Sequence, residues 1–213
     1  MSPTDTIVRC HTNKQHRKIV LLRPITTYLR YKQLQAMKSL GSLNCMLELN
    51  TTAGISGKKN QTSESDWLKK DSNHFELKSP HDGLRLLGKF WPVNEPRAVI
   101  LFVHGSGEHS GRYKHVAEFF NEHKVACVTY DLRGHGVSGG ERGFTPSSDA
   151  LFIDLECVVN FVRSKFSHTK PLVLYAHGTG CSICIAHILK RSDRLLDYQY
   201  LILSTPSICL KMR

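Results

Sequence analysis

Three short glycine-bearing loops hold most of the residues that could do chemistry. The first, His104-Gly105-Ser106-Gly107, directly follows the apolar run Ala98-Val99-Ile100-Leu101-Phe102-Val103. The second follows an apolar run at 125–130 and holds Asp131, Arg133, Gly134, His135 and Gly136 before reaching Gly143. The third, Ala176-His177-Gly178-Thr179-Gly180, joins another apolar run to a helix pattern. Glycine lets backbone N–H groups approach a ligand closely. In an open parallel sheet the loops after the strands are where reactive groups collect, so the first loop can supply one half of an oxyanion hole.

The elements that would carry these loops alternate in period. Residues 84–91 and 125–130 read as strands, and the unbroken run at 98–103 suits a strand buried on both faces of a parallel sheet. A helix is expected near 113–122, with Val116, Phe119 and Phe120 on its apolar face. Ser147-Ser148-Asp149 has the chemistry of a helix start, and Phe152, Leu155, Val159, Val162 and Phe166 recur after it at helical spacing. A strand at 172–176, a helix at 181–189 and a strand at 200–204 complete the alternation. Units of this kind predict an α/β fold, a mostly parallel sheet with helices on both faces.

Taken together and in this order, the three loops resemble those of the monoacylglycerol lipase and lysophospholipase group of α/β-hydrolases. The stretch from His104 through Glu108-His109-Ser110-Gly111-Arg112-Tyr113 is the most specific part. The resemblance covers residues 75–210 and implies hydrolysis of lipid carboxylic esters, such as monoacylglycerols or lysophospholipids. It makes the third loop the nucleophile elbow, usually Gly-His-Ser-Met-Gly, and assigns the oxyanion-hole N–H groups to Ser106 and Thr179. Here the serine position is Gly178, and Ala176 replaces the first glycine. No catalytic residue is then intact, because the acid and the histidine should follow the nucleophile. After Gly178 only His187, Asp193 and Asp197 occur, at positions that cannot serve.

Other nucleophiles fare worse. Thr179 is one position late, Cys181 and Ser182 belong to the helix, and no helix opens after Ser138 in Gly136-Val137-Ser138-Gly139-Gly140. His104, His135 and His177 are expected to fix turns, and Asp131 and Arg133 to pair with each other or with backbone groups. Cys181 and Cys184 form a C-x-x-C with no second pair for zinc and read as core positions. Neither a metal nor a cofactor is expected.

The family pattern continues past the last strand into a lid and two further strands, so the expectation is a hydrolase fold truncated after about the sixth strand and lacking the lid. The strand at 200–204 would then be an unpaired apolar edge, open to a protein partner. The formal charge of +11 concentrates at the front: residues 1–74 hold twelve Lys and Arg against five Asp and Glu. That stretch reads as a basic, poorly ordered leader and linker ahead of a partial hydrolase domain at 75–213. A short helix presenting Tyr28, Tyr31, Leu34, Met37 and Leu40 is one candidate within it. No nucleic-acid motif accompanies the basic residues, so nucleic acid is not an expected partner; the resemblance implies a lipid ester or a membrane surface instead. Seven unevenly spaced cysteines, no signal core and no long apolar run predict a cytoplasmic chain, with membrane association left open.

Overall fold

The computed structural model describes residues 73–166, 170–190 and 198–206, with the backbone of two further strands at 7–12 and 15–22. The strands are β1 (Ile7–Thr12), β2 (Gln15–Leu22), β3 (His74–Lys78), β4 (Arg85–Trp91), β5 (Ala98–Val103), β6 (Val125–Tyr130), β7 (Leu172–His177) and β8 (Tyr200–Ser204). The helices are α1 (Lys114–Glu122), α2 (Ser148–Lys165) and α3 (Thr179–Lys190), with a short 3-10 turn at Ser110–Tyr113. The strands form one sheet in the order β1-β2-β8-β7-β5-β6-β4-β3. β2, β8, β7, β5 and β6 run parallel, while β1, β3 and β4 each pair antiparallel.

Side-chain alternation along the central strands builds two cores. Val99, Leu101 and Val103 of β5, with Ala126 and Val128 of β6 and Leu172 and Leu174 of β7, face α2 and α3. Ile100, Phe102, Cys127, Val173 and Ile202 face α1 through Ala117 and Phe120. All six residues of β5 are buried, as are all six of β6. Hence these strands carry no polar/apolar alternation: both faces are covered, so both need apolar residues. Helix α2 starts where its cap chemistry places it, because the Ser147 hydroxyl accepts the Ala150 N–H at 3.2 Å.

One expectation fails. The Tyr200–Ser204 strand is not an edge, because β2 lies parallel beside it, from Lys18 opposite Tyr200 to Leu22 opposite Ser204. The run Ile19-Val20-Leu21 meets Leu201-Ile202-Leu203. Parallel neighbours buried in a sheet are apolar in just this way, and the match lies in residues that composition alone marks only as basic leader. The sheet instead ends at β1 and β3. The helix suggested around Tyr28–Leu40, and Asp193 and Asp197, lie outside the described residues.

Candidate active site

The third loop is a tight strand–turn–helix. β7 ends at His177, Gly178 takes φ +53°, and α3 begins at Thr179. The Gly178 N–H donates to the Ser204 carbonyl at 3.1 Å, and its own carbonyl accepts the Cys181 N–H at 3.1 Å. A positive φ of this size costs a residue with a Cβ about 1–2 kcal/mol, a strain glycine avoids. Space is not the obstacle: a Cβ at Gly178 would find only the Gly105 Cα, at 3.6 Å. Two residues on, a Cβ at Gly180 would fall 2.7 Å from the His104 carbonyl oxygen and still closer to that of Val103. Gly180 therefore lets the start of α3 press directly on the end of β5.

That contact brings the first and third loops together. Around Gly105 the nearest atoms are the His177 carbonyl and the Gly178 Cα. Among the described residues neither the Ser106 nor the Thr179 N–H has a hydrogen-bond acceptor. Ser106 and Gly107 are exposed and Thr179 is half-buried. The first loop's side of this contact is fixed by Glu108, whose task no local signal in the sequence marks. Its carboxylate accepts the Gly105 N–H at 3.0 Å and the Tyr113 hydroxyl at 3.3 Å, and lies 4.0 Å from His177 Nε2. Partial burial pushes the Glu108 carboxyl up, but the Gly105 N–H, His177 and the Tyr113 hydroxyl outweigh it and hold it below its usual range.

His104 joins the first loop to the second. Its Nδ1 meets the Gly105 carbonyl at 2.8 Å and its Nε2 accepts the Leu132 N–H at 2.9 Å, so the proton sits on Nδ1 and the ring is neutral. Burial depresses its basicity further. Asp131 is 2% exposed and takes backbone N–H groups on both sides, Ser110 at 2.6 Å and Val137 at 2.8 Å. Gly134 and Gly136 turn the loop back past Asp131, and His135 bonds the Arg133 carbonyl at 3.0 Å.

Arg133 does not pair with Asp131. Its guanidinium binds Asp154 of α2 at 2.7 and 2.9 Å, Asp82 at 2.8 Å and the Ser79 hydroxyl at 3.2 Å. Nothing local in the sequence points to these partners, which lie 21 to 54 residues away. Arg133 thus clamps the second loop to α2 and to the turn after β3.

The other nucleophile candidates are occupied. Ser138 is buried, donating to the Asp131 carbonyl at 2.6 Å and accepting the Leu87 N–H at 2.9 Å. Cys181 and Cys184 are core residues of α3, and burial pushes the Cys181 thiol up to about 12, far from the thiolate form. His187 is buried inside α3 against the Tyr198 hydroxyl.

A tight elbow at the carboxyl end of a parallel sheet, pressed against a glycine loop, with helices on both faces, defines an α/β-hydrolase fold. Residues 94–213 match the family described as serine aminopeptidase, S33, and the chain belongs to it. It is similar to the monoacylglycerol lipase of Mycolicibacterium smegmatis, with 31% identity over 127 residues, 59% of this chain and 44% of that one. To the monoglyceride lipase of Rattus norvegicus it is 33% identical over 128 residues, 60% of this chain and 41% of the relative. A solved structure of a soluble variant of monoglyceride lipase from Saccharomyces cerevisiae, in complex with a substrate analog, aligns with a TM-score of 0.54 at 25% identity, covering 64% of this chain and 45% of that one. The chain spans less than half the length of each of these relatives.

Proposed function

We propose that this chain holds lipid carboxylic esters of the monoacylglycerol or lysophospholipid kind at the elbow without cleaving them through an acyl-enzyme. The observation that carries the reading is Gly178. The turn that would lift a nucleophile into the site is formed, at φ +53°, on a residue with no side chain. Around it the unpartnered N–H groups of Ser106 and Thr179 are suited to receive an ester carbonyl oxygen. In a serine protease, loss of the nucleophile alone lowers turnover by about a millionfold, nearly as much as loss of the whole triad. The lipid-ester assignment comes from the relatives, whose names give them monoacylglycerol lipase activity.

Incubating the purified chain with a monoacylglycerol, and following free fatty acid release beside direct binding by calorimetry, tests the reading. Binding is expected with the ester recovered intact. Release of fatty acid at an enzymatic rate, abolished by Thr179→Ala, would show instead that the neighbouring hydroxyl has taken over as nucleophile.

A further inference from the structure

Two left-handed residues leave neighbouring strands at the carboxyl end of the sheet. Gly178 follows β7 at φ +53°, and Thr205 follows β8 at φ +54°. β7 and β8 pair in parallel with His177 opposite Ser204, so the two turns begin at the same level. The first residue has no side chain, and the second carries a hydroxyl. Glycine takes a positive φ freely. Thr205 is opposed twice: its Cβ is branched, and it precedes Pro206, whose ring favours extended backbone in the residue before it.

What holds Thr205 there is the elbow. The Ser204 carbonyl, part of the peptide that joins Ser204 to Thr205, accepts the Gly178 N–H at 3.1 Å and the Cys181 thiol at 3.3 Å. That peptide is thereby tied both to the turn after β7 and to the first turn of α3. A strained backbone persists where its surroundings over-determine it, and such residues cluster at ligand sites. The left-handed turn also breaks the alternation of β8. Leu201 and Leu203 face α2 and α3, and an extended continuation would put Thr205 on the same face. Instead Thr205 is half-buried, and its hydroxyl has no hydrogen-bond partner among the described residues.

We propose that the Thr205 hydroxyl binds the alcohol half of an ester held at the elbow, through a hydrogen bond to the free glycerol hydroxyl beside the ester group. The inference rests on the ester-holding reading and adds to it the feature that selects the ligand. Ser106 belongs to the loop after β5 and Thr205 to the turn after β8, and these strands flank β7 on opposite sides. An ester whose carbonyl oxygen is drawn towards Ser106 therefore turns one of its arms towards Thr205. The alcohol arm is the one that fits, because an alkyl chain laid against the hydroxyl would leave it unpaired. Monoacylglycerols and lysophospholipids both carry a free hydroxyl on the glycerol next to the ester, and a simple alkyl ester does not. Thr205 thus separates glycerol esters from alkyl esters.

Calorimetry with monooctanoylglycerol and with methyl octanoate, on the unaltered chain and on Thr205→Val, tests the inference. Valine keeps the branched shape and lacks the hydroxyl. The variant should bind monooctanoylglycerol about five- to tenfold more weakly, as expected for one lost hydrogen bond, and methyl octanoate as well as the unaltered chain does. Thr205→Ser should recover most of the affinity for the glycerol ester. Unchanged affinity of Thr205→Val for monooctanoylglycerol, or an equal loss for both esters, overturns the inference and leaves the ester-holding reading standing. If the unaltered chain binds neither ester, that reading fails and the inference fails with it. Should circular dichroism show Thr205→Val unfolded, Thr205→Gly, which suits the left-handed backbone, carries the same comparison.

Discussion

Gly178→Ser asks the turn between β7 and α3 to carry a hydroxyl-bearing side chain. The backbone there has φ +53°, so any residue with a Cβ takes on left-handed strain of about 1–2 kcal/mol. Steric overlap adds little, because the new Cβ would meet only the Gly105 Cα, at 3.6 Å, an ordinary contact distance. The variant should therefore fold, with its urea midpoint lowered by about 0.5–1 M for a slope near 2 kcal/mol per molar. Reactivity is read in parallel with a fluorophosphonate probe, which marks activated serines. The unaltered chain should take no label. The variant should label slowly at residue 178, because the histidines of the three loops are engaged elsewhere. His104 and His135 bond backbone carbonyls, and His177 Nε2 faces Glu108. Labelling of the unaltered chain would mean that another serine is activated and that the elbow is misassigned. A loss above about 4 kcal/mol would show that the turn has no room for a side chain, contrary to the geometry.

Four further outcomes follow from named contacts. Arg133→Met leaves the Asp154 carboxylate, 1% exposed, without its guanidinium and should cost about 3–5 kcal/mol in urea unfolding, with Asp154→Leu added recovering part of it; a loss below about 1 kcal/mol refutes the clamp. Gly180→Ala drives a methyl onto the carbonyls of Val103 and His104, so a loss of about 1–3 kcal/mol, read as a Tm drop of several degrees, is expected. His104 is held neutral in the fold but protonates with its ordinary pKa of about 6.5 once unfolded. Its contribution is complete above that pH and is lost as pH falls below it, by up to about 1.4 kcal/mol per pH unit until the folded ring itself protonates; His104→Gln should remove that part of the slope in pH-dependent unfolding. Deleting residues 1–22 strips β2 from β8 and exposes an apolar edge, so concentration-dependent light scattering should rise relative to the full chain.

The elements between β4 and β8 were legible in the sequence because their signals are local. Runs such as Ala98–Val103 and Val125–Tyr130 are buried on both faces, and α2 announces itself through Ser147 and the spacing of Leu155, Val159 and Val162. The turn at Gly178 between a strand and a helix was equally legible, since the glycine stands directly between the apolar run and the helix pattern. Strand β3 and the β1–β2 hairpin were not read in advance. β3 is a short, mixed strand, and β2 places a basic start ahead of its apolar end, so each identifies itself only against its neighbour in the sheet.

Tertiary structure alone decided the partners. Asp131 and Arg133, two residues apart, turn to different tasks: the carboxylate collects the N–H groups of Ser110 and Val137, while the guanidinium reaches Asp82 and Asp154. Glu108 gains its role only when Gly105, Tyr113 and His177 gather round it. Sequence determines which residue types stand at the ends of strands, because backbone propensity and burial pattern act over a few neighbours. Which of those groups meet is settled by strand order and loop closure. A buried charge must find its counter-charge wherever the fold brings one, however distant along the chain.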